Sequence, residues 1–435
     1  MSSSHPALNP PPHVRAIAER LESAGFETWC VGGAVRDALL GHPHLDWDLA
    51  TAARPEQVRQ LFRRTVPIGI EFGTIGVLDT EGTMHEVTTF RRDVRTDGRH
   101  AVVEFGASLE DDLARRDYTI NAIAYSPAGD ELRDPFGGRD DLRAKVLRAV
   151  GDPAARMRED RLRALRGIRF AARFGFTIDP ATWRAIVESA PELGSLSAER
   201  VKQELEKTMD QVERPSAALR MWRDSGALAT LVPSLASTDD VTLASLDRLA
   251  RPGSSTRPQR RLNRVAALFT GVPAAETERA LRALRFSNQD SAWIAALVRG
   301  RQAIASELDA TVGARREPTA AQLRRWAARV GRMHLLPVLR VDMARRDDAG
   351  REWCALYGRA ARSVFRDALV VGDLSVDGED LTGAGIPAGR MMGLVLRALL
   401  ELVLDDPSLN ERDMLLAKAR ELADRFAREA QREPQ

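Results

Sequence analysis

The stretch VGGAVRDALLGHPHLDWDLATAA, residues 31–53, decides how the first third of the chain is read. Apolar residues of FETWCVGG, residues 26–33, form a short strand that runs into two glycines. AVRDALLG has helical spacing and stops at Gly41. HLDWDLAT alternates polar with apolar residues and reads as a second strand. Side chains alternate faces along a strand, so Asp46 and Asp48 point the same way. Two carboxylates on one face, with no basic residue between them, repel each other. They are either solvated surface acids or the two arms of a cation site.

Working outward, the flanking segments add the same kinds of element. Residues 14–24 read as a helix, and RPEQVRQLFRR reads as another with proline at its start. GTIGVLDTEGTMHEVTTF reads as a hairpin around an Asp-Thr-Glu-Gly turn. Glu86 on its second strand is a third acid able to aim at the point faced by Asp46 and Asp48. Three such acids can hold Mg²⁺, with one ion activating a hydroxyl nucleophile and another steadying a leaving pyrophosphate. Gly32 and Gly33 sit at a strand-to-helix turn, where backbone N–H groups can approach a triphosphate closely. Arg36, one turn later, adds a charge-assisted contact. A glycine turn, an arginine and D-x-D within about 20 residues fit a nucleotidyl-transfer site. The phosphate-loop pattern G-x-x-x-x-G-K-[ST] is missing, and so is G-x-G-x-x-G.

Beyond about Ser108, strand signals nearly vanish. LEDDLARRDYTINAIAY is expected to be helical, and RDPFGGRDDLRAKVLRAV a turn followed by a helix. From Pro153 onward the chain reads as helices separated by Pro/Gly breaks. The fold class is therefore α+β, a small mixed-sheet head followed by a long all-helical remainder. The expected divisions are a disordered lead-in over 1–12, a catalytic head over 13–145 and a helical neck over 146–215. A helical body over 216–330 and a helical tail over 331–435 complete the chain.

RMREDRLRALRGIRFAARFGF, residues 156–176, carries seven arginines and two acids. If it is one helix, Asp160, Arg163 and Arg166 span roughly 120° of one face, with Arg169 drifting past it. An Asp–Arg pair at i, i+3 mimics one half of a base pair. The carboxylate accepts from the exocyclic amine of cytosine or adenine, and the guanidinium donates to the neighbouring ring nitrogen. Guanine and uracil present a carbonyl in that place, so Asp160 and Arg163 together predict selection of CTP and ATP.

Composition sets outer limits. With 435 residues, 44% hydrophobic and 29% charged, the chain is a multi-domain globular protein. The formal net charge of +2 does not announce a nucleic-acid partner, which must be found in local patches. Two cysteines build no disulfide framework and suit a reducing, cytoplasmic setting. No apolar run is long enough to predict a membrane span, and the N-terminus lacks the pattern of a secretory signal.

VGGAVRDALLG, DWDLAT, HEVTTFRRD, DGRHAVVEFGASLEDDLARRDYTINAIAY, DPFGGRDDL and EDRLRALRGIRFAARFGF together resemble the class II tRNA nucleotidyltransferases. That family comprises the CCA-adding enzymes and the bacterial poly(A) polymerases. The resemblance implies that Gly33 and Arg36 bind the triphosphate and that Asp46 and Asp48 hold Mg²⁺, with Glu86 at the third acidic position. It places Arg116 and Asp117 near the ribose and phosphates. Asp160 and Arg163 become the protein template, and Arg166 and Arg169 become further nucleotide-binding arginines. Gly32 belongs to the same turn. Implied partners are CTP, ATP and the acceptor end and elbow of tRNA, with no membrane.

Residues 66–77, VPIGIEFGTIGV, look like the CCA-adding version of the family's second hairpin. Residues 91–105 correspond to the family's flexible loop at full length. Residues 376–423 resemble the tail of long CCA-adding enzymes. A-only addition, CC-only addition and poly(A) synthesis remain open, as does an inactive RNA-binding protein. Thr270 and Gly271 stand where many relatives carry the His-Asp of a metal phosphohydrolase, so no such activity is expected.

Overall fold

The computed structural model describes residues 8–42, 46–96, 101–249, 259–346 and 348–430. They fall into two compact units that divide after Ala236.

The first unit is built on a seven-stranded sheet. In chain order its elements begin with α1 (Pro12–Ser23), β1 (Thr28–Val31), α2 (Gly33–Leu39), β2 (Asp48–Thr51) and α3 (Pro55–Leu61). Next come β3 (Thr65–Gly69), β4 (Thr74–Leu78), β5 (Met84–Thr89), β6 (Arg91–Thr96) and β7 (Ala101–Phe105). Then follow α4 (Leu109–Ala114), β8 (Ala124–Ser126), β9 (Glu131–Arg133), α5 (Gly138–Ala144) and β10 (Val146–Leu147). The strand order is β3-β4-β5-β2-β1-β8-β9. Only β2 and β5 pair in parallel, and the other neighbours are antiparallel, so the sheet is mixed as expected. Trp29, Val31, Ala50 and Phe90 pack with Leu109, Leu113, Ala122, Ala124 and Val150 into one core cluster.

Several expectations need correction. LEDDLARRDYTINAIAY is helical only through α4. A short 3-10 turn over Thr119–Asn121 and strand β8 follow. Ser108 and Asp111 cap α4 reciprocally, but Asp117 uses its side chain on the following backbone N–H, which competes with helix continuation. In RDPFGGRDDLRAKVLRAV the helix is only α5, and Lys145 turns left-handed at φ 55 to enter β10. Within the expected flexible loop of residues 91–105, β6 and β7 form a separate hairpin. Residues 97–100 of the expected flexible loop lie outside the described residues, as does the lead-in as far as Ala7. From Leu8 the chain is tied down, since the Leu8 carbonyl accepts from Tyr125 Oη.

The unit continues with α6 (Pro153–Glu159), α7 (Leu162–Phe174), β11 (Thr177–Ile178), α8 (Pro180–Ser189), α9 (Ala198–Gln211), α10 (Pro215–Asp224) and α11 (Ala227–Leu231). The basic segment is therefore two helices rather than one. Asp160 sits between them in extended backbone, at φ −148 and ψ 105. Its carboxylate accepts from the Leu162 N–H at 3.1 Å, so it starts α7 instead of continuing α6. Aspartate is better satisfied at a helix end than inside one.

Leu162, Leu165 and Ile168 bury one side of α7, and Gly167 lies where the helix meets Tyr118. Tyr118 Oη donates to the Arg163 carbonyl at 2.6 Å, and a Cβ on residue 167 would collide with that hydroxyl. Gly167→Ala is therefore expected to lower stability by about 1–3 kcal/mol through overpacking. Urea denaturation of the variant, read beside Tyr118→Phe/Gly167→Ala, measures it. The double variant should recover part of the loss.

The second unit is all helical in its described residues. It contains α12 (Asp240–Arg248), α13 (Gln259–Leu268), α14 (Ala274–Ala283), α15 (Asn288–Gly313), α16 (Ala320–Val330) and α17 (Leu335–Arg345). It ends with α18 (Asp348–Ser363), α19 (Gly378–Gly383), α20 (Arg390–Asp405) and α21 (Arg412–Ala430). Val395, Leu399 and Val403 of α20 interlock with Leu415 and Ala419 of α21 in one core. No helix among the described residues is long and apolar enough to cross a membrane.

Candidate active site

Strand β1 delivers the chain to Gly32, whose φ of +76 is a conformation side-chain-bearing residues avoid. A Cβ there would stand 3.0 Å from Arg116 Nη1, so the turn and that guanidinium are in close approach. Gly33 begins α2. Arg36 on that helix points inward and is 4% exposed. Its Nε donates to Asp37 at 2.7 Å and its Nη1 to Asn121 Oδ1 at 2.6 Å. Its guanidinium lies over the rings of Phe170 and Phe174. In this arrangement Arg36 braces the turn against α7 and its head group is not presented to solvent.

Asp46, Trp47 and Asp48 alternate as expected: Trp47 is 3% exposed, between an exposed and a half-buried aspartate. Only Asp48 lies within β2; Asp46 precedes it. Asp48 pairs with Val31 across β1, and the next residue, Leu49, pairs with Val87 of β5. That register sets Asp48 beside Glu86. Burial, then the charges of Asp46 and Glu86, push the Asp48 carboxyl up to about 7, while Arg116 pulls it back. The three acids and Arg116 thus feel one another, and the net balance is a surplus of negative charge. A divalent cation relieves that condition, and the oxygen-only donor set suits Mg²⁺.

Arg116 is held by α4. Asp112, 1% exposed, takes Arg115 at 2.6 Å and Arg116 at 3.0 Å. Burial raises the Asp112 carboxyl, but the two guanidiniums outweigh it and leave it below its ordinary value. Asp117 enters the contact with α7. Its Oδ2 accepts from Arg166 Nε at 2.9 Å and Nη2 at 2.7 Å, and its Oδ1 accepts from Asn121 at 2.9 Å. Burial alone would raise its pKa; Arg166, Asn121 and Arg163 together hold it down to about 2.

The proposed base-reading residues have separate partners. Asp160 accepts from Arg200 Nη2 at 2.8 and 3.0 Å. Arg163 donates to Glu159 at 2.6 Å and to the Arg115 carbonyl at 2.7 Å. Arg169, only 3% exposed, is paired with buried Glu204 at 2.7 Å. Arg166 and Arg169 both lie over the Phe170 ring. Asp46, Glu86 and Arg116 thus act electrostatically on Asp48, Gly32 lies against Arg116, and Asp117, Arg163 and Arg166 form a second group.

Residues not singled out from sequence also shape the site. Asp112, on α4, stands four residues before Arg116, which lies just past the end of that helix, a spacing that was legible. Asn121 bridges Arg36 and Asp117. Arg200, on α9, reaches Asp160 across 40 positions, and no local pattern marks it.

The chain matches the poly A polymerase head domain over residues 28–148 and the probable RNA- and SrmB-binding site of polymerase A over residues 175–238. It is 43% identical over 235 residues to a CCA-adding enzyme of Streptococcus suis, covering 54% of this chain and 57% of that protein. A CCA-adding enzyme of Streptococcus pneumoniae is 42% identical over 270 residues, 62% of each chain. The chain thus spans about three fifths of the length of these streptococcal relatives in the matched stretch. The crystal structure of the Bacillus stearothermophilus CCA-adding enzyme in complex with CTP is 32% identical. It covers 96% of this chain and 98% of that one, with a TM-score of 0.73. The Thermotoga maritima CCA-adding enzyme complexed with tRNA shares the fold at 21% identity, with a TM-score of 0.68.

Proposed function

This chain belongs to the family of the CCA-adding enzymes, and on that premise we propose that it adds C, C and A to the 3′ end of tRNA from CTP and ATP. The observation that carries the reading is the strand register that sets Asp48 beside Glu86 and two residues after Asp46, with the charges of both acids and of Arg116 acting on its carboxyl. Asp46 and Asp48 would hold Mg²⁺, which when bound supplies charge neutralisation for the phosphates and activation of the attacking hydroxyl. The tRNA 3′-hydroxyl oxygen bonds to the α-phosphorus as the α–β bridging bond breaks, and pyrophosphate leaves. Gly32 and Gly33 let backbone approach the triphosphate. Arg116, already turned toward Gly32, adds a positive charge on the same side.

No nucleic-acid template is needed if Asp160 and Arg163 read the incoming base. A base in front of them competes with Arg200 for Asp160 and with Glu159 for Arg163. Arg36, Asp117 and Arg166 then serve the nucleotide by holding α7 against the head, and Arg169 by tying α7 to Glu204 of α9. The helical second unit is the proposed grip on tRNA, through backbone and shape contacts suited to A-form RNA. Two buried, free cysteines fit a cytoplasmic setting.

The deciding assay supplies tRNA lacking CCA, ending in C, or ending in CC, with labelled CTP or ATP, and reads product length. Full CCA addition extends all three by the missing nucleotides. Extension of the CC-ending tRNA alone, a stop after CC, or a long A tail each overturns the proposal. Arg163→Ala is expected to reduce discrimination against GTP and UTP by roughly 10- to 100-fold, as for loss of one base-reading pair. Competition between labelled CTP and GTP measures it. Retention of full discrimination removes Arg163 from the template.

A further inference from the structure

Strand β5 carries Glu86 on one face of the head sheet and His85 on the other. Met84 and Glu86 are exposed, whereas His85 and Val87 are buried. Behind the sheet, His85 meets residues from two other elements. Its Nε2 lies 3.1 Å from Asp79 Oδ2, and the two side chains are 1% and 4% exposed. Asp79 opens the β4–β5 turn, and its other oxygen, Oδ1, accepts the N–H groups of Glu81 at 2.9 Å and Thr83 at 2.8 Å. Those two bonds fix the carboxylate and direct Oδ2 toward the imidazole. His13, at the start of α1, brings its ring to 4.6 Å from the His85 ring, centroid to centroid. One ligand atom from each of His13, Asp79 and His85 lies within 4.8 Å of the other two.

We propose that His13, Asp79 and His85 form a second metal site, distinct from the Asp46–Asp48 site and selective for Zn²⁺ or a similar transition-metal ion. Two imidazoles and one carboxylate are the ligand chemistry of Zn²⁺, whereas Mg²⁺ takes oxygen donors. Three protein ligands leave a fourth tetrahedral position for water or an anion. His13 and Asp79 line a cleft of about 720 Å³ with Arg20, Arg63 and Arg64, whose charge favours an anion there. Arg64 donates to the Asp79 backbone carbonyl, which leaves the carboxylate to the histidines. The second ring nitrogen of His85, Nδ1, is buried without a hydrogen-bond partner. The Asp79 carboxylate only accepts, so Nε2 carries the proton in the metal-free pair, and an ion bound there takes the place of that proton between Nε2 and Oδ2.

Tetrahedral ligands at about 2.0–2.1 Å from the ion stand roughly 3.3 Å apart. The His85–Asp79 pair already meets that spacing, so closing the site is a matter of drawing in His13. The ion would tie α1 to the β4–β5 hairpin, one residue from Glu86. It would thereby link the rear of the head to the strand that carries the third acid.

The test uses the full-length protein stripped with EDTA and returned to excess Mg²⁺, then titrated with Zn²⁺ or Co²⁺. Equilibrium dialysis should retain one Zn²⁺ per chain, Co²⁺ should give the intense visible bands of a tetrahedral site, and Zn²⁺ should raise the thermal midpoint by several degrees. His13→Gln and Asp79→Asn should each weaken Zn²⁺ retention at least tenfold, while Asp48→Asn leaves it intact. His13 is half-buried on a helix start, so His13→Gln tests the site even if His85 variants fail to fold. Failure to retain Zn²⁺ in excess Mg²⁺ overturns the proposal. So does retention that Asp48→Asn abolishes, or that His13→Gln leaves unchanged.

Discussion

Asp48→Asn is expected to reduce nucleotide addition by about three orders of magnitude or more and, above pH 7, to raise the thermal midpoint of the metal-free protein. Loss of a carboxylate from the proposed Mg²⁺ pair removes several kcal/mol of transition-state stabilisation, and about 4 kcal/mol is a thousandfold in rate. The stability effect has the opposite sign because the folded protein holds the Asp48 carboxyl at about 7, against an ordinary value of 3.8. The folded state binds that proton more tightly than the unfolded state. The metal-free wild type therefore loses stability as pH rises from about 4 to about 7, where the buried carboxylate is forced to ionise beside Asp46 and Glu86. Asparagine keeps the shape without the charge, so its advantage is full above pH 7 and absent below about pH 4. Mg²⁺ should stabilise the wild type and leave the variant unmoved. Thermal unfolding at pH 4 and pH 8, with and without Mg²⁺, reads all of these signs. An unchanged midpoint at pH 8 would mean that the three acids do not strain the apo head.

Arg166→Met is expected to cost about 3 kcal/mol and to lower the midpoint of the first unit by roughly 6–12 °C, with most of the loss restored by adding Asp117→Asn. Asp117 is 9% exposed and its partner 34%. Breaking the pair leaves the more deeply buried member charged, and that stranded charge accounts for most of the cost. The lower end of the usual range applies because water reaches part of Arg166. Asp117, held at about 2, contributes stability above pH 3.8 that disappears as pH falls toward 2. The variant should lack this acid-dependent component. A double-mutant cycle by urea denaturation measures the coupling. A raised KM for CTP with an unmoved midpoint would instead place Arg166 at the nucleotide and not at the joint between head and α7.

Much of the head was legible because its signals are local. The glycine turn, the alternation around Trp47, and the hairpin of β4 and β5 each occupy a few consecutive residues, and each appears where its pattern predicts. The short strands β8 and β9 were missed because three-residue segments carry too few side chains to show a period. β10 and β11 pair across 31 positions, Val146 with Thr177, so neither has a partner in its own neighbourhood. The break at Asp160 was missed for a different reason. Arginine spacing continues smoothly through it, while a side chain that caps a helix looks in sequence like one inside it.

Sequence alone determined the family and the mixed-sheet head with its helical remainder. Those features follow from period, turn chemistry and short motifs. What only tertiary structure decided is which charge each arginine answers. Arg36 turns inward to Asp37 and Asn121, Arg166 to Asp117, Arg169 to Glu204, and Asp160 takes Arg200. All but the Asp37 contact join residues at least 35 positions apart. An arginine's long stem reaches any carboxylate the fold brings within several ångströms, so its spacing along a helix does not name its partner.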